Sequence, residues 1–188
     1  EGAKFNWTIT KVVDNKAAST LAITWTAEFP KGTPINPCNT TASATAPVFF
    51  PFGPNTAGEG TLSMLRSYAQ GDDYVLGQAN APGQAAAVNL STTNTVCAAN
   101  VATTTIPVDA AIPAGTRGIV ALQGKPQLPV PAGMSTEHWA EPLMFVRVPT
   151  PTYEFVVGTG APATPRRVVA DTQECLGCHV GSLYQHGN

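Results

Sequence analysis

The sequence predicts a mainly β fold, an antiparallel β-sandwich or split β-barrel, with a short helical segment at its C-terminal end. Three observations predict it. Apolar residues recur with period two in short runs, as in Phe5, Trp7, Ile9 and again in Leu21, Ile23, Trp25, Ala27. Turn chemistry interrupts these runs at short intervals, drawing on 17 Pro and 17 Gly in 188 residues. Prolines rule out long helices between positions 30 and 60. About seven to nine short strands broken by turns are the pattern of a sandwich or barrel.

The elements follow in order. Phe5–Ile9 and Leu21–Ala27 read as an opening hairpin, with Asp14-Asn15-Lys16 as turn residues between them. Six prolines between positions 30 and 60 (Pro30, Pro34, Pro37, Pro47, Pro51, Pro54) exclude long helices and central strands, leaving Val48-Phe49-Phe50 as one candidate strand. Thr61–Tyr68 fits either a short helix or a strand, because periodicity alone cannot separate them. Asp72-Asp73 turns the chain into Tyr74-Val75-Leu76. The Ala/Thr/Asn region from Ala79 to Thr105 holds weak strands near Ala86–Leu90 and Val101–Val108. Pro-Ala-Gly turns at 113–115 and 131–133 flank a clear strand, Arg117–Gly124. Leu143–Val148 and Tyr153–Val157 complete the β-domain, which spans residues 1–157. Residues 158–165 (Gly-Thr-Gly-Ala-Pro-Ala-Thr-Pro) form a linker by composition, and 166–188 begin a second module.

Composition narrows the class. Hydrophobic residues make up 43%, enough for a packed core, while charged residues are only 12%, about half the usual share. Net charge is −2, with no basic stripe, which argues against a nucleic-acid partner. No apolar run approaches the length of a transmembrane helix. No signal peptide is visible at Glu1.

The second module carries the chemistry. Cys175-Leu176-Gly177-Cys178-His179 is the attachment signature of a c-type haem. Two thiols three residues apart can form thioethers to one porphyrin, and the histidine after the second is then the proximal iron ligand. A thioredoxin-like site would need a βαβ setting that is missing before Cys175. A zinc site would need a second ligand pair at knuckle spacing, and Cys38 and Cys97 do not supply one. The expected cofactor is therefore at least one covalently attached haem c, on Cys175 and Cys178, with His179 on the iron. For the sixth position, His186 or His138 would give bis-histidine iron, and Met64, Met134 or Met144 would give His/Met ligation. Arg166 and Arg167 suit propionate contacts, or are simply a solvated basic pair.

Haem attachment implies maturation outside the cytoplasm. In such a compartment Cys38 and Cys97, the even remainder in polar, loop-like stretches, are expected to pair as a disulfide. Closing a loop of about 60 residues contributes roughly 3–4 kcal/mol in the chain-entropy model.

The tail Arg166-Arg167-Val168-Val169-Ala170-Asp171, Cys175–His179, Leu183 and His186-Gly187-Asn188 resembles one junction in particular. It is similar to that of the OmcA/MtrC family of outer-membrane decahaem cytochromes. There a β-domain is followed by an arginine pair, a strand ending in Asp, the first haem motif and a downstream His-Gly-Gly-Asn. This chain has a single Gly187 at that place, one attachment motif where the family has many, and widely separated cysteines. The specific match covers the last 23 residues. The resemblance implies an extracellular multihaem c-type cytochrome, of which this chain is expected to be a fragment. It implies electron transfer to external acceptors such as metal oxides or to partner cytochromes, and no enzymatic turnover. It places the protein outside the cell or on the outer-membrane surface, ahead of the periplasm. His186 then becomes the distal ligand of this haem or of a neighbouring one, in the same chain or in an assembly. Two other readings stand beside it. One is a surface binding or adhesion β-domain with a single structural or sensory haem. The other is a haem enzyme with an open sixth position.

Overall fold

A computed structural model describes residues 4–49, 52, 61–77, 82–108, 111–133, 143–146 and 148–164. Twelve strands lie among them: β1 Asn6–Asn15, β2 Thr20–Glu28, β3 Pro34–Ile35, β4 Ser63–Gln70, β5 Asp73–Leu76, β6 Ala86–Asn89, β7 Thr95–Ala98, β8 Val101–Pro107, β9 Arg117–Gln123, β10 Gln127–Pro129, β11 Leu143–Phe145 and β12 Thr152–Val156. All pairings are antiparallel. One sheet has the order β1-β2-β8-β7 with β3 on the end of β2; a second has the order β12-β9-β4-β5 with β6 also beside β4. β10 and β11 make a separate ribbon, to which Val48 adds a single bridge at Gln127. Neither large sheet closes into a barrel among the described residues, and their buried faces share one hydrophobic cluster.

The opening hairpin forms as its alternation predicts, but it is longer. β1 runs to Asn15 and the turn falls on the residues after it, where the Ser19 N–H donates to the Lys16 carbonyl (3.2 Å) and the Ala18 N–H to Asn15 Oδ1 (3.2 Å). A bulge between Ile9 and Lys11 explains how one strand keeps its phase. Thr10 and Lys11 both point outward, and Val12 returns to the core. On the outer face of this sheet stand Thr8, Thr24, Thr26, Thr103 and Thr105, none of them buried. Hydroxyls replace charges there, which is where the low charged fraction goes.

The ambiguous segment at 61–68 is resolved as strand β4, the centre of the second sheet. β9 pairs with Ser63–Tyr68 on one side, and β6 and β5 share the other. The pairing of its backbone on both sides decides the matter, as the local pattern could not. Two expectations are corrected. Cys97 lies not in a loop but on β7, an edge strand of polar and small residues that has no apolar alternation of its own. Val48-Phe49 is not a regular strand; Val48 makes one bridge and Phe49 is a core plug.

The core is aromatic on the side of the first sheet. Phe49 stacks on Trp7 (5.9 Å between ring centroids, 19° between planes) and meets Trp25 edge-on (6.1 Å, 83°). Burying indole nitrogens requires partners. Trp25 Nε1 donates to Thr104 Oγ1 at 3.0 Å, and Thr104 Oγ1 in turn lies 3.0 Å from Thr95 Oγ1. Trp7 Nε1 donates to the carbonyl of Pro149. In the second sheet the Phe155 ring lies over Gly118, so close that a Cβ at that glycine would sit 2.5 Å from it.

Candidate functional site

Cys175, Cys178, His179, His186, Arg166 and Arg167 lie outside the described residues, as do His138 and Met134. What the structure does describe is the platform from which that segment departs. β12 is bordered on one side by β9. On its other side the chain itself returns. After Val157 it turns through Gly158 (φ 94°) and Gly160 (φ 71°), both in the left-handed region that favours glycine. It then runs back along β12: the Val156 N–H donates to the Ala161 carbonyl (2.8 Å), and the Ala163 N–H donates to the Glu154 carbonyl (3.0 Å). Phe155 and Pro162 face each other as an isolated antiparallel bridge. Composition marks this stretch as a linker; from Gly158 to Thr164 it is instead a strap hydrogen-bonded along an exposed sheet edge, which it covers.

The turn is fastened to the first sheet as well. The Gly158 N–H donates to Asp14 Oδ2 at 2.6 Å. Gly160 approaches β1 so closely that a Cβ there would stand 2.4 Å from the Val12 carbonyl oxygen. The strap therefore bridges the edges of both sheets. Its register, set by the Phe155–Pro162 bridge, brings Thr164 level with Tyr153.

Of the methionines weighed as iron ligands, Met64 and Met144 are core side chains at 0% and 7% exposure, packed in apolar surroundings. Both belong to the shared hydrophobic cluster. Among the described residues no group of three or more His, Cys, Asp or Glu is arranged to hold a metal ion. The disulfide is present: Cys38 and Cys97 are joined with their Cα atoms 6.0 Å apart across a sequence separation of 59. It ties the turn after β3 to the edge strand β7.

One residue escapes a reading of the sequence. Arg66 lies on β4 between Met64 and Tyr68, on the face that packs into the core, and pairs laterally with Val120 and Ala86. Its side chain is half-buried, with Nε enclosed and without a hydrogen-bond partner. Nη1 donates to Tyr68 Oη at 3.4 Å, and the guanidinium carbon lies 5.8 Å from the Tyr68 ring centroid. The signal is present in the chain: in Met64-x-Arg66-x-Tyr68 a cation occupies an inward phase. It becomes readable only once the segment is known to be a strand.

The sequence matches no protein-family model and no curated protein. Solved structures do match in fold. The chain is similar to the outer membrane decaheme cytochrome OmcA at 14% identity and a TM-score of 0.51, over 95% of this chain and 26% of that one. It is also similar to MtrC from Shewanella baltica OS185 at 13% identity and a TM-score of 0.49, over 94% of this chain and 26% of that one. The chain thus spans about a quarter of the length of each. The OmcA likeness bears on the fold, and it falls on the family that the tail residues resemble.

Proposed function

We propose that this chain belongs to an extracellular multihaem c-type cytochrome and supplies its β-domain together with a haem-attachment segment. The observation that carries the reading is the Cys175-Leu176-Gly177-Cys178-His179 motif, which follows in sequence a β-domain whose fold is shared with part of the decaheme cytochrome OmcA. In this reading Cys175 and Cys178 bind haem as thioethers and His179 ligates the iron. His186 is a distal ligand of this haem or of a neighbouring one. Arg166 and Arg167 suit propionate contacts in this reading, or are a solvated basic pair. The haem would supply one-electron exchange, with His179 and a second histidine, from this chain or from a neighbouring one, as its iron ligands, so that no site opens for a substrate. The protein works at the cell surface, passing electrons to an external acceptor or to partner cytochromes.

The strap supports this division of labour. A cofactor segment that exchanges electrons with neighbours has to be held at a fixed distance and angle. Residues 158–164 are bound to β12 and β1 and do not hang free. The β-domain is accordingly a mount.

The direct test is haem retention. After acid–acetone extraction the intact mass should keep one haem on this chain, and Cys175→Ala/Cys178→Ala should lose it. Haem that leaves entirely with the organic phase would remove the basis of the reading. Carbon monoxide added to the reduced protein then separates electron transfer from an open-site haem enzyme, because iron with two protein ligands binds it poorly.

A further inference from the structure

We propose that the outer face of the β1-β2-β8-β7 sheet is an interface between two copies of this chain, which stack sheet against sheet. The chemistry of the face is the first argument. Thr24 pairs with Thr103, and Thr103 pairs with Val96. One step along the strands, Thr26 pairs with Thr8 and with Val101. These residues alternate with the inward-facing residues of their strands, so they all project from the same outward side. Among the described residues the large hydrophobic side chains that stand exposed are Val13 (42%), Val96 (74%) and Val101 (40%), and all three belong to this face. Exposed apolar groups gathered on one surface mark an interaction site, as the same groups scattered singly do not.

Charge and hydrogen bonding say what partner fits. Lys11 on the edge strand β1 and Glu28 at the end of β2 are of opposite sign, and no other charged side chain projects from these four strands on that side. A second copy therefore brings no net charge to repel the first. A threonine hydroxyl is both donor and acceptor, so a threonine face can satisfy itself against its own image, which a face of carboxylates or amines cannot. Valine beside it packs on valine or on a threonine methyl group. Two sheets stacked about 10 Å apart are the usual way to bury such a surface. The size is sufficient. Four strands about 4.8 Å apart and about six residues deep give a patch of roughly 19 by 20 Å. Two such patches remove on the order of 1,000 Å² from water, where specific interfaces begin. A dimer of modest affinity follows, with a dissociation constant of roughly one to a hundred micromolar. Its contact is isologous, so each substitution acts twice.

The test is sedimentation equilibrium on the full chain between about 1 µM and 1 mM, across which it should pass from monomer to dimer. Thr24→Lys sets two ammonium groups at the centre of each dimer and should weaken association by roughly tenfold or more, with near-UV circular dichroism unchanged. Thr103→Lys repeats the test one strand away, should Thr24→Lys disturb the fold. Ala121→Lys, on the outer face of the other sheet, should leave association as it was. A chain that stays monomeric throughout overturns the proposal. So does a dimer that both lysine variants of the threonine face leave intact. If Val96→Lys alone then breaks that dimer, the contact runs edge to edge along β7; if Ala121→Lys breaks it, the other sheet is the interface. A strictly monomeric chain that adsorbs to iron oxide particles, and does so less well as Thr24→Lys, would give the face to a solid surface instead. None of these outcomes depends on haem, so the cytochrome reading stands or falls by its own test.

Discussion

Gly160 and Thr104 show how much single residues decide in this domain. Gly160 combines a φ of 71° with a site where a Cβ would press to 2.4 Å from the Val12 carbonyl oxygen. Gly160→Ala meets both the left-handed penalty and the contact, so we expect a loss of about 2–3 kcal/mol, measured by urea unfolding. A substitution at Gly133 (φ 85°), which has open space around it, should show the conformational penalty alone and cost less. Thr104 is fully buried and accepts from the Trp25 indole while touching Thr95 Oγ1. Thr104→Val keeps the shape and strands the buried Trp25 indole N–H, while Thr95 Oγ1 keeps its bond to Asn94 Oδ1 (3.1 Å), at an expected cost of about 1–3 kcal/mol with altered near-UV circular dichroism from Trp25. Glu28 is a smaller matter of the same kind. A hydrogen bond from Asn6 Nδ2 (3.0 Å), and then the Gly32 N–H, hold its carboxyl below the usual 4.5. A depressed carboxylate contributes stability above its unfolded pKa and loses it as pH falls through the folded one. The acid limb of unfolding below about pH 4.5 should therefore flatten in Glu28→Gln. The side chain is only partly covered and open to solvent screening, so the change will be slight.

At the scale of elements, the edges hold the design. The strap at 158–164 covers β12, and residues Pro82 and Gly83 bridge and bond to β5, which leaves β7 to be managed differently. β7 is four residues long, with Val96 at 74% exposure, and it is pinned by the disulfide from Cys97 to Cys38. A short edge strand with few apolar neighbours gains little from burial, so the covalent tie matters more here than it would in a central strand. Cys38→Ser/Cys97→Ser should lower stability by about 3–4 kcal/mol. Hydrogen exchange should accelerate first in β7 and the turn around Cys38, and later in β2 and β4. Equal acceleration throughout would mean that the disulfide only constrains the unfolded chain. β4 illustrates the opposite case. Its sequence carries no decisive period, and it is nonetheless the centre of its sheet, because β9, β5 and β6 take up its backbone groups on both sides.

At the scale of the whole molecule, the described residues form two sheets around a shared core. Both sheets contribute to one cluster that runs from Phe5 and Trp25 to Tyr68 and Phe155, and the strap spans their edges. In the proposed function this arrangement sets the position of the first haem. Loosening the strap at Gly158 or Gly160 should then slow electron exchange with a partner cytochrome while leaving the haem spectrum unchanged. His186→Ala separates the two ligation schemes. High-spin iron in this chain by itself would assign His186 to its own haem; an unchanged low-spin spectrum would assign it to a neighbour.

What the sequence determined was whatever depends on local covalent order. The alternation of Leu21, Ile23, Trp25 and Ala27 announces a strand with one buried face, and β2 has it. Cys175 through His179 sets up the expectation of haem chemistry, because two thiols and a histidine within five residues suit covalent attachment to one porphyrin. The count of cysteines anticipated the pair Cys38–Cys97, although not that one partner would be on a strand. Tertiary structure alone decided what depends on partners distant in sequence. It made β4 a central strand, set Arg66 on an inward face with a tyrosine for company, and turned a proline-rich linker into a bound strap. The physical reason is the same in each case. A backbone group or a charge finds its lowest free energy from whatever the fold brings beside it, and that neighbour is set by the fold rather than by the order of residues along the chain.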